Sequence, residues 1–238
     1  MIPKKIHYCW FGGNELPELA KKCIESWKKF CPDYEIIEWN EENFDVNLNQ
    51  YVREAYENKK WAFVSDVARL YALYNEGGIY MDTDVEVIKE LDDFLNEEAF
   101  SGFEAFDRVP TGIMACTKHN KLFKKFLEHY DNKTFVKDGK LNMTTNVEII
   151  TNELEKQGLK KNNTKQTIDG FTLYPCEYFC PLDYETQKLN KTINTHTIHW
   201  FNGSWKDDKT IKKEKIRRKL DKIFGKQNVE KIMKRRKK

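Results

Sequence analysis

The sequence has no apolar run long enough to cross a membrane and no N-terminal apolar segment of the secretory type. Among 238 residues, no window holds about eighteen uninterrupted apolar residues, and the chain opens with the charged segment 1–5 (MIPKK). These absences predict a soluble, cytoplasmic protein. The sequence also lacks internal repeats and linkers rich in Pro, Gly or Ser, so one domain of ordinary size is expected.

Cysteine is present without a recognisable cysteine motif. The six cysteines are scattered, and only Cys176 and Cys180 lie close together, at a spacing that fits neither a zinc ribbon nor a redox motif. Free thiols are therefore predicted. The 39% of apolar residues and the six tryptophans are enough for a folded core, although 33% of the residues are charged.

Charge is segregated along the chain. Residues 206–238 hold sixteen Lys and Arg against five Asp and Glu, whereas residues 1–205 hold 25 against 33. Apolar residues recur at helical spacing in the basic segment, which predicts a C-terminal amphipathic helix after a main domain of residues 1–205. This tail is interpreted either as a helix on an anionic membrane surface or as a helix docked on the main domain. Nucleic-acid binding is not expected, because no nucleic-acid motif is present.

Alternating strand and helix signals predict an α/β domain. An apolar run at 6–11, a helix at 17–30 and a strand at 34–39 follow one another, an order that indicates crossover connections. A second helix at 61–75 is followed by two glycines, and a strand at 79–81 comes after them. Further strand signals lie at 99–103, 112–115 and 171–174, and further helix signals at 120–130 and 146–157.

Asp82 and Asp84 directly follow the predicted strand 79–81. Side chains alternate across an extended strand, so carboxylates two residues apart are expected to project to one side and share a hard divalent cation. Asp-Xaa-Asp alone is a weak signal, because such triplets also arise in solvated turns.

Segments on both sides of this pair resemble one known family. Residues 61–69 (WAFVSDVAR) and 77–84 (GGIYMDTD) resemble the sugar-binding region, with its DXD motif, of glycosyltransferase family 32. Residues 2–13 (IPKKIHYCWFGG) are similar to the opening strand of that family, and residues 199–205 (HWFNGSW) to its closing loop. The resemblance implies a GT-A fold, a Rossmann-like mixed sheet flanked by helices, over residues 1–205.

The resemblance also implies roles at a donor site. Trp10 would stack on the base of a nucleotide sugar, and Gly12 would let the backbone approach the ligand. The other implied donor contacts lie on the helix, the DXD segment and the closing loop: Ser65, Asp66, Arg69, Tyr80, Asp82, Ser204 and Trp205. Among these, Asp66, Arg69 and Asp82 are predicted as catalytic residues together with Asp84. Asp66 and Arg69 are also spaced for an ordinary i,i+3 ion pair.

The implied metal is Mn²⁺ or Mg²⁺, because oxygen ligands and phosphate select hard cations. Asp84 is the expected direct ligand, Asp82 binds the sugar, the ribose or a metal-bound water, and His199 is the expected third ligand. Glu104 and Asn146 lie where family members have sugar or acceptor contacts.

The implied activity is metal-dependent, retaining transfer of a hexose from a nucleoside diphosphate sugar, with UDP favoured over GDP. The expected acceptor is a glycan, free or lipid-linked, of a surface polysaccharide such as a capsule, reached at the inner face of the cell membrane. Two alternatives stay open. Residues 79–85 also resemble the first motif of haloacid-dehalogenase phosphatases, in which Asp82 would be the nucleophile. A noncatalytic glycan- or membrane-binding module would explain Trp205 and the tail, but not the acidic pair.

Overall fold

A computed structural model of the chain describes residues 1–104, 107–203 and 216. The helices within these ranges are α1 (Glu18–Phe30), α2 (Gln50–Glu57), α3 (Trp61–Glu76), α4 (Lys121–Glu128), α5 (Asn146–Lys156) and α6 (Cys176–Phe179). The strands are β1 (Lys5–Cys9), β2 (Glu35–Trp39), β3 (Gly78–Met81), β4 (Val85–Val87), β5 (Ala99–Gly102), β6 (Ile113–Cys116), β7 (Val136–Lys137), β8 (Lys140–Leu141), β9 (Gln166–Ile168), β10 (Phe171–Tyr174) and β11 (Thr197–His199). The predicted helical tail, 206–238, lies outside these ranges apart from Ile216.

A seven-stranded mixed sheet forms the centre, in the order β2-β1-β3-β6-β5-β10-β9. Strand β1 runs parallel to both β2 and β3, and β10 runs parallel to β5, whereas β6 and β9 are antiparallel to their neighbours. Strand β11 pairs with β4 in a separate two-stranded sheet, and β7 pairs with β8. The predicted α/β class, a mixed sheet flanked by helices, is confirmed.

The order of the first three strands creates a crevice. From β1 the chain passes to β2 on one side of it and later to β3 on the other side. Ligands of open α/β sheets bind at such a reversal, outside the carboxyl ends of the strands. In this chain the reversal lies between β1 and β3, where residues 10–14 leave one strand and residues 82–84 leave the other.

The sheet separates two apolar cores, and the alternation of strand β3 decides what faces each one. Ile79 and Met81 belong to the core that includes Trp27 of helix α1. Tyr80 belongs to the opposite core, which includes apolar residues of helix α3. Because side chains alternate along a strand, the face of β3 that carries Tyr80 is turned towards α3.

Two glycines join helix α3 to strand β3 where other residues would not fit. Gly77 and Gly78 have φ angles of +66° and +105°. A Cβ atom would lie 2.7 Å from the backbone nitrogen of Lys118 at Gly77, and 2.8 Å from the carbonyl oxygen of Lys5 at Gly78. The helix can therefore end and the strand begin within two residues, which keeps the acidic segment close to α3.

The predicted elements agree with the structure to within a few residues. Helix α3 was expected at 61–75 and spans Trp61–Glu76, and β10 was expected at 171–174 and spans Phe171–Tyr174. Helix α2 and the strands β9 and β11 were not predicted. Each of these segments is short, so its local pattern is weak and tertiary contacts decide its conformation.

Candidate active site at the carboxyl ends of β1 and β3

A cavity of about 490 Å³ opens at the crevice between β1 and β3. It is lined by aromatic residues, among them Trp10 and Trp61, and by the polar residues Asp82, Asp84 and His199. The volume and the mixture of apolar wall with a few polar groups are typical of small-ligand sites. Most of the residues predicted for the site therefore line a single cavity.

Three possible metal ligands converge at one end of this cavity. One ligand atom from each of Asp82, Asp84 and His199 lies within 4.8 Å of the others. The pairing of β11 with β4 causes this, because its register sets His199 opposite Val85. The Trp200 N–H also donates to the Asp84 carbonyl oxygen at 2.9 Å. Two carboxylates and one imidazole form a donor set that fits Mn²⁺ and similar divalent ions.

The two aspartates meet for a different reason from the one the sequence suggested. Strand β3 ends at Met81, and the Val85 N–H donates to the Asp82 carbonyl oxygen at 2.9 Å. Residues 82–85 therefore form a turn, and the alternation of an extended strand does not apply to them. Their proximity is produced by the turn and by the Gly112 carbonyl oxygen, which accepts the Asp82 N–H at 2.8 Å.

Asp84 is held by contacts to both of its carboxylate oxygens. His199 Nε2 lies 3.2 Å from Oδ1, and the Asn202 N–H donates to Oδ2 at 2.7 Å. Burial alone would raise the pKa of Asp84, but the charge of His199 and these hydrogen bonds hold that pKa below its usual value. Burial alone would lower the pKa of His199, but the charge of Asp84 and the hydrogen bond to it raise that pKa well above the ordinary range. A cation at this site would compete with the proton of His199.

The ring of His199 is confined on two sides. Phe201 lies against it, with ring centroids 4.1 Å apart, and has a φ angle of +52°, a backbone conformation that a non-glycine residue rarely adopts. On another side, a Cβ atom at Gly112 would come within 2.9 Å of the His199 ring and 3.4 Å of an Asp82 oxygen. Gly112 was not predicted as a site residue, and its sequence context carries no signal for this contact.

Arg69 links helix α3 to the acidic segment. Its guanidinium lies 3.2 Å from Asp66 and 3.3 Å from Asp82, and Nη1 donates to the Thr111 carbonyl oxygen at 2.7 Å. The guanidinium carbon is also 4.6 Å from the centroid of the Tyr80 ring. Arg69 is therefore buried, and its contacts extend beyond the predicted i,i+3 ion pair with Asp66. It also contacts Asp82, Thr111 and Tyr80. Tyr80 adds a hydrogen bond to Asp82, from its hydroxyl to Oδ1 at 2.8 Å.

Asp66 is a buried carboxylate with an unusual titration. Burial raises its pKa to about 6, and the charge of Arg69 and the backbone N–H of Asn146 only partly offset that effect. Asn146 donates from its backbone to Asp66 Oδ2 at 3.2 Å and from its side chain to the Asp66 carbonyl oxygen at 2.7 Å. The Tyr130 hydroxyl donates to the Asn146 side chain at 2.7 Å. Asn146 is fully buried and lies behind the cavity wall, where it supports Asp66.

The remaining predicted residues differ in how they meet the cavity. Trp10 and Ser65 line it, and the Trp10 indole N–H donates to the Asn14 carbonyl oxygen at 2.6 Å. Glu104 also lines it, and burial raises the pKa of its carboxyl group. Gly12 lines a neighbouring cavity instead, and a Cβ atom there would meet the Trp61 ring at 2.7 Å. The predicted contacts of residues 204 and 205 lie outside the described residues.

Comparison with known proteins identifies the segment that carries most of these residues. Residues 17–101 match the family model described as "Glycosyltransferase sugar-binding region containing DXD motif". The chain carries the sugar-binding region of the DXD glycosyltransferases. The predicted resemblance is thereby confirmed, and Asp66, Arg69, Asp82 and Asp84 all lie within the matched segment, whereas Trp10 and His199 lie outside it.

Curated proteins similar to this chain include two yeast proteins. Inositol phosphoceramide mannosyltransferase 3 of Schizosaccharomyces pombe is 35% identical over 129 residues, which cover 49% of this chain and 34% of the relative. Mannosyl phosphorylinositol ceramide synthase SUR1 of Saccharomyces cerevisiae is 26% identical over 215 residues, 83% of this chain and 56% of the relative. The chain thus spans between a third and just over half the length of these relatives.

Among solved structures, two glycosyltransferases are similar to this chain at TM-scores below 0.5. The galactosyltransferase LgtC, in complex with donor and acceptor sugar analogs, is 14% identical, with 89% of this chain and 92% of that one covered and a TM-score of 0.44. The PaToxG glycosyltransferase is 22% identical, with 53% of this chain and 59% of that one covered and a TM-score of 0.43.

No helix in the described part of this chain is both long and apolar enough to span a membrane.

Proposed function

We propose that this protein is a metal-dependent glycosyltransferase that moves a hexose from a nucleoside diphosphate sugar to a glycan or glycolipid acceptor. The observation that carries the proposal is the convergence of Asp82, Asp84 and His199 beside a ligand-sized cavity within and next to a DXD sugar-binding region. Asp82, Asp84 and His199 would hold the ion, and bound Mn²⁺ or Mg²⁺ would neutralise the charge of the departing diphosphate.

The protein groups around the ion position the donor. Arg69 and Tyr80 both bind Asp82 Oδ1, at 3.3 Å and 2.8 Å, so the orientation of this carboxylate is set before a ligand enters. Such preorganisation favours catalysis because little rearrangement is needed in the transition state. A retaining reaction by front-face attack relies on this positioning and on charge neutralisation. We therefore assign no covalent nucleophile.

For the donor and the acceptor we propose only the chemical class. Two relatives are named as enzymes of mannosyl transfer to inositol phosphoceramide or of mannosyl phosphorylinositol ceramide synthesis, which favours mannose as the sugar and a lipid-linked acceptor. A UDP donor, a surface polysaccharide product and attachment of the basic tail to an anionic membrane are narrower hypotheses. Cosedimentation with anionic and neutral liposomes, with and without residues 209–238, tests the last of these; equal sedimentation of both forms would contradict it.

A phosphatase with Asp82 as nucleophile is the weaker alternative. Arg69 and Tyr80 engage one oxygen of Asp82, and the described wall of the cavity contains Arg69 and Arg108 but no lysine. A haloacid-dehalogenase site would need a lysine and a second acidic pair near the nucleophile. The noncatalytic alternative gives no reason for three metal-ligand groups to converge in a cavity.

The decisive experiment is donor hydrolysis without an acceptor. The chain is incubated with UDP-glucose, UDP-galactose, UDP-N-acetylglucosamine and GDP-mannose, with Mn²⁺ or with a chelator, and release of the nucleoside diphosphate is measured. Metal-dependent release from at least one donor is expected. It should be lost in Asp84→Asn and retained in the control Asp93→Asn, which changes an exposed aspartate outside the cavity. Failure to cleave any donor would contradict the proposal.

A further inference from the structure

Trp200 directly follows the candidate metal ligand His199 but does not line the cavity. Its indole packs against the apolar core that contains Met81, and its Nε1–H donates to Glu86 Oε2 at 2.9 Å. Trp200 and Glu86 are both partly buried. Neither is among the described residues that line the cavity, and neither belongs to the group of possible metal ligands. An effect of this hydrogen bond on the geometry of the site must therefore pass through neighbouring residues.

Strand pairing brings Trp200 and Glu86 together. In the antiparallel pairing of β11 with β4, His199 lies opposite Val85. Trp200 comes immediately after the end of β11, and its backbone N–H donates to the Asp84 carbonyl oxygen at 2.9 Å. Trp200 is thus bound through its backbone to the residue before Val85 and through its indole to the residue after it. Two such bonds restrict the peptide and the ring of Trp200 at the same time.

The chain turns back at Phe201, directly after this doubly bound residue. Phe201 has a φ angle of +52°, in the left-handed region, and the centroid of its ring lies 4.1 Å from that of His199. Such a conformation persists only where surrounding contacts hold it. Before the turn lies the bonded indole of Trp200, and after it the Asn202 N–H donates to Asp84 Oδ2 at 2.7 Å. Loss of the indole bond would therefore remove one of the restraints on this turn.

We propose that Glu86 is a positioning residue, which orients the candidate ligand His199 through its hydrogen bond to Trp200. The proposal rests on the metal-dependent function proposed above. An imidazole binds an ion well only when its ring is held in the required orientation, and groups that do not touch the ion commonly provide that restraint. Because Trp200 is the next residue in the chain after His199, Glu86 needs no contact with the ion, the donor or the acceptor.

The charge of Glu86 is a second way in which this residue could influence a cation, and the two explanations predict different results. As a charged group, Glu86 would attract a nearby cation whether or not it binds Trp200. As a positioning residue, it needs only an oxygen that accepts the indole N–H. Glutamine retains such an oxygen and removes the charge, whereas leucine removes both. Glu86→Gln and Glu86→Leu therefore distinguish the hydrogen bond from the charge.

Calorimetric titration with Mn²⁺ alone tests the proposal. Glu86→Leu and Trp200→Phe each remove one partner of the bond and are expected to weaken Mn²⁺ affinity by about tenfold, whereas Glu86→Gln should weaken it by about threefold or less. The double variant Glu86→Leu/Trp200→Phe should bind Mn²⁺ about as well as either single variant, because both changes remove the same bond. The control Glu90→Leu, at an exposed position outside the described cavity wall, should keep full affinity.

Two results would overturn the proposal and leave the metal site intact. A lowered melting temperature with unchanged Mn²⁺ affinity in Glu86→Leu and Trp200→Phe would make the bond a purely structural contact. Equal weakening in Glu86→Gln and Glu86→Leu would assign the effect to charge. If Glu86→Leu does not fold, Trp200→Phe, which keeps an aromatic ring at this position, is compared with Glu86→Gln instead. If the unmodified protein binds no Mn²⁺, the proposed metal-dependent function fails as well.

Discussion

The two ends of the candidate active site are built in different ways. At the metal end, Asp82 and Asp84 are held by Arg69, Tyr80, His199 and backbone groups in partly or fully buried positions. At the proposed base end, near Trp10, Glu41 and neighbouring loop residues are exposed, and few contacts fix them. Charges that leave water need partners, so a buried charged site must be preorganised. An exposed recognition site can rely on single contacts, and its residues can be changed with less effect on the fold.

Removal of Arg69 should have the largest effect, because it would break the preorganised end. Arg69→Met leaves the buried carboxylate of Asp66 and the partly buried carboxylate of Asp82 without their shared cation, which should lower the free energy of unfolding by about 3–5 kcal/mol at pH 8. Urea denaturation measures this loss. It should shrink at pH 5, where protonated Asp66 needs no cation. The exposed control Arg53→Met should stay within about 0.5 kcal/mol of the unmodified protein.

Asp84→Ala should separate chemistry from folding at the same end. Loss of one ligand is expected to lower metal-dependent donor hydrolysis by about a hundredfold or more. The protein should remain folded, with a melting temperature lowered only by the loss of the His199–Asp84 pair. Steady-state rates at several Mn²⁺ concentrations provide the measurement. Turnover close to that of the unmodified protein would remove Asp84 from the metal site.

The base end should respond to Trp10→Ala through binding alone. Loss of one stacking partner is expected to weaken nucleoside diphosphate affinity by about 1–3 kcal/mol, with a smaller change in stability, because Trp10 is only partly buried. Titration calorimetry with UDP and GDP measures the change. If affinity is unchanged and the protein remains folded, Trp10 is a packing residue, and the end of the cavity near Trp10 does not bind the base.

The pH dependence of metal binding should report the His199–Asp84 pair. Asp84 raises the pKa of His199, so below that pKa a proton must leave before the imidazole can bind Mn²⁺, and affinity should rise about tenfold per pH unit. Asp84 stays ionised because its pKa is lowered. Calorimetry in two buffers of different ionisation enthalpy should detect about one proton released per ion. His199→Gln should abolish this release; an unchanged release would exclude His199 as a ligand.

Without metal, the His199–Asp84 pair is expected to stabilise the folded protein most strongly within a limited pH range. The raised pKa of His199 stabilises the fold below its unfolded value of 6.5, and this contribution is lost as pH rises through the folded-state pKa. The lowered pKa of Asp84 stabilises the fold above 3.8 and is lost as pH falls through its folded value. Both contributions are therefore fully present between these two pH values, and addition of Mn²⁺ should extend stability to higher pH.

Gly112→Ala should produce the smallest of these effects and is the most selective change at the metal end. The backbone of Gly112 does not have a positive φ angle, so the strain would come only from the new Cβ atom against His199 and Asp82. A decrease in Mn²⁺ affinity of about three- to tenfold is expected, with nucleotide binding in the absence of metal unchanged. Unchanged metal affinity would show that the His199 ring can move aside freely.

Most of the fold near the site could be predicted because its signals are local. The apolar spacing of 61–75, the two glycines and the buried strand before Asp82 each depend on near neighbours in sequence, and all three were found as expected. The turn at 82–85 could not be read from the same pattern. Acidic residues are common both at strand ends and in turns, so the residue types do not distinguish the two. The contact between Asp82 and Gly112 that fixes the turn joins positions thirty residues apart.

Local patterns in the sequence thus identified the three candidate metal ligands, the helix beside them and the family that their segment resembles. The tertiary structure decided how those residues meet. The pairing of β11 with β4 carries His199 to Asp84, Arg69 joins α3 to the end of β3, and Glu41 reaches the loop after β1. These contacts connect distant parts of the chain, and their energies depend on burial and register, which a linear pattern of residues does not encode.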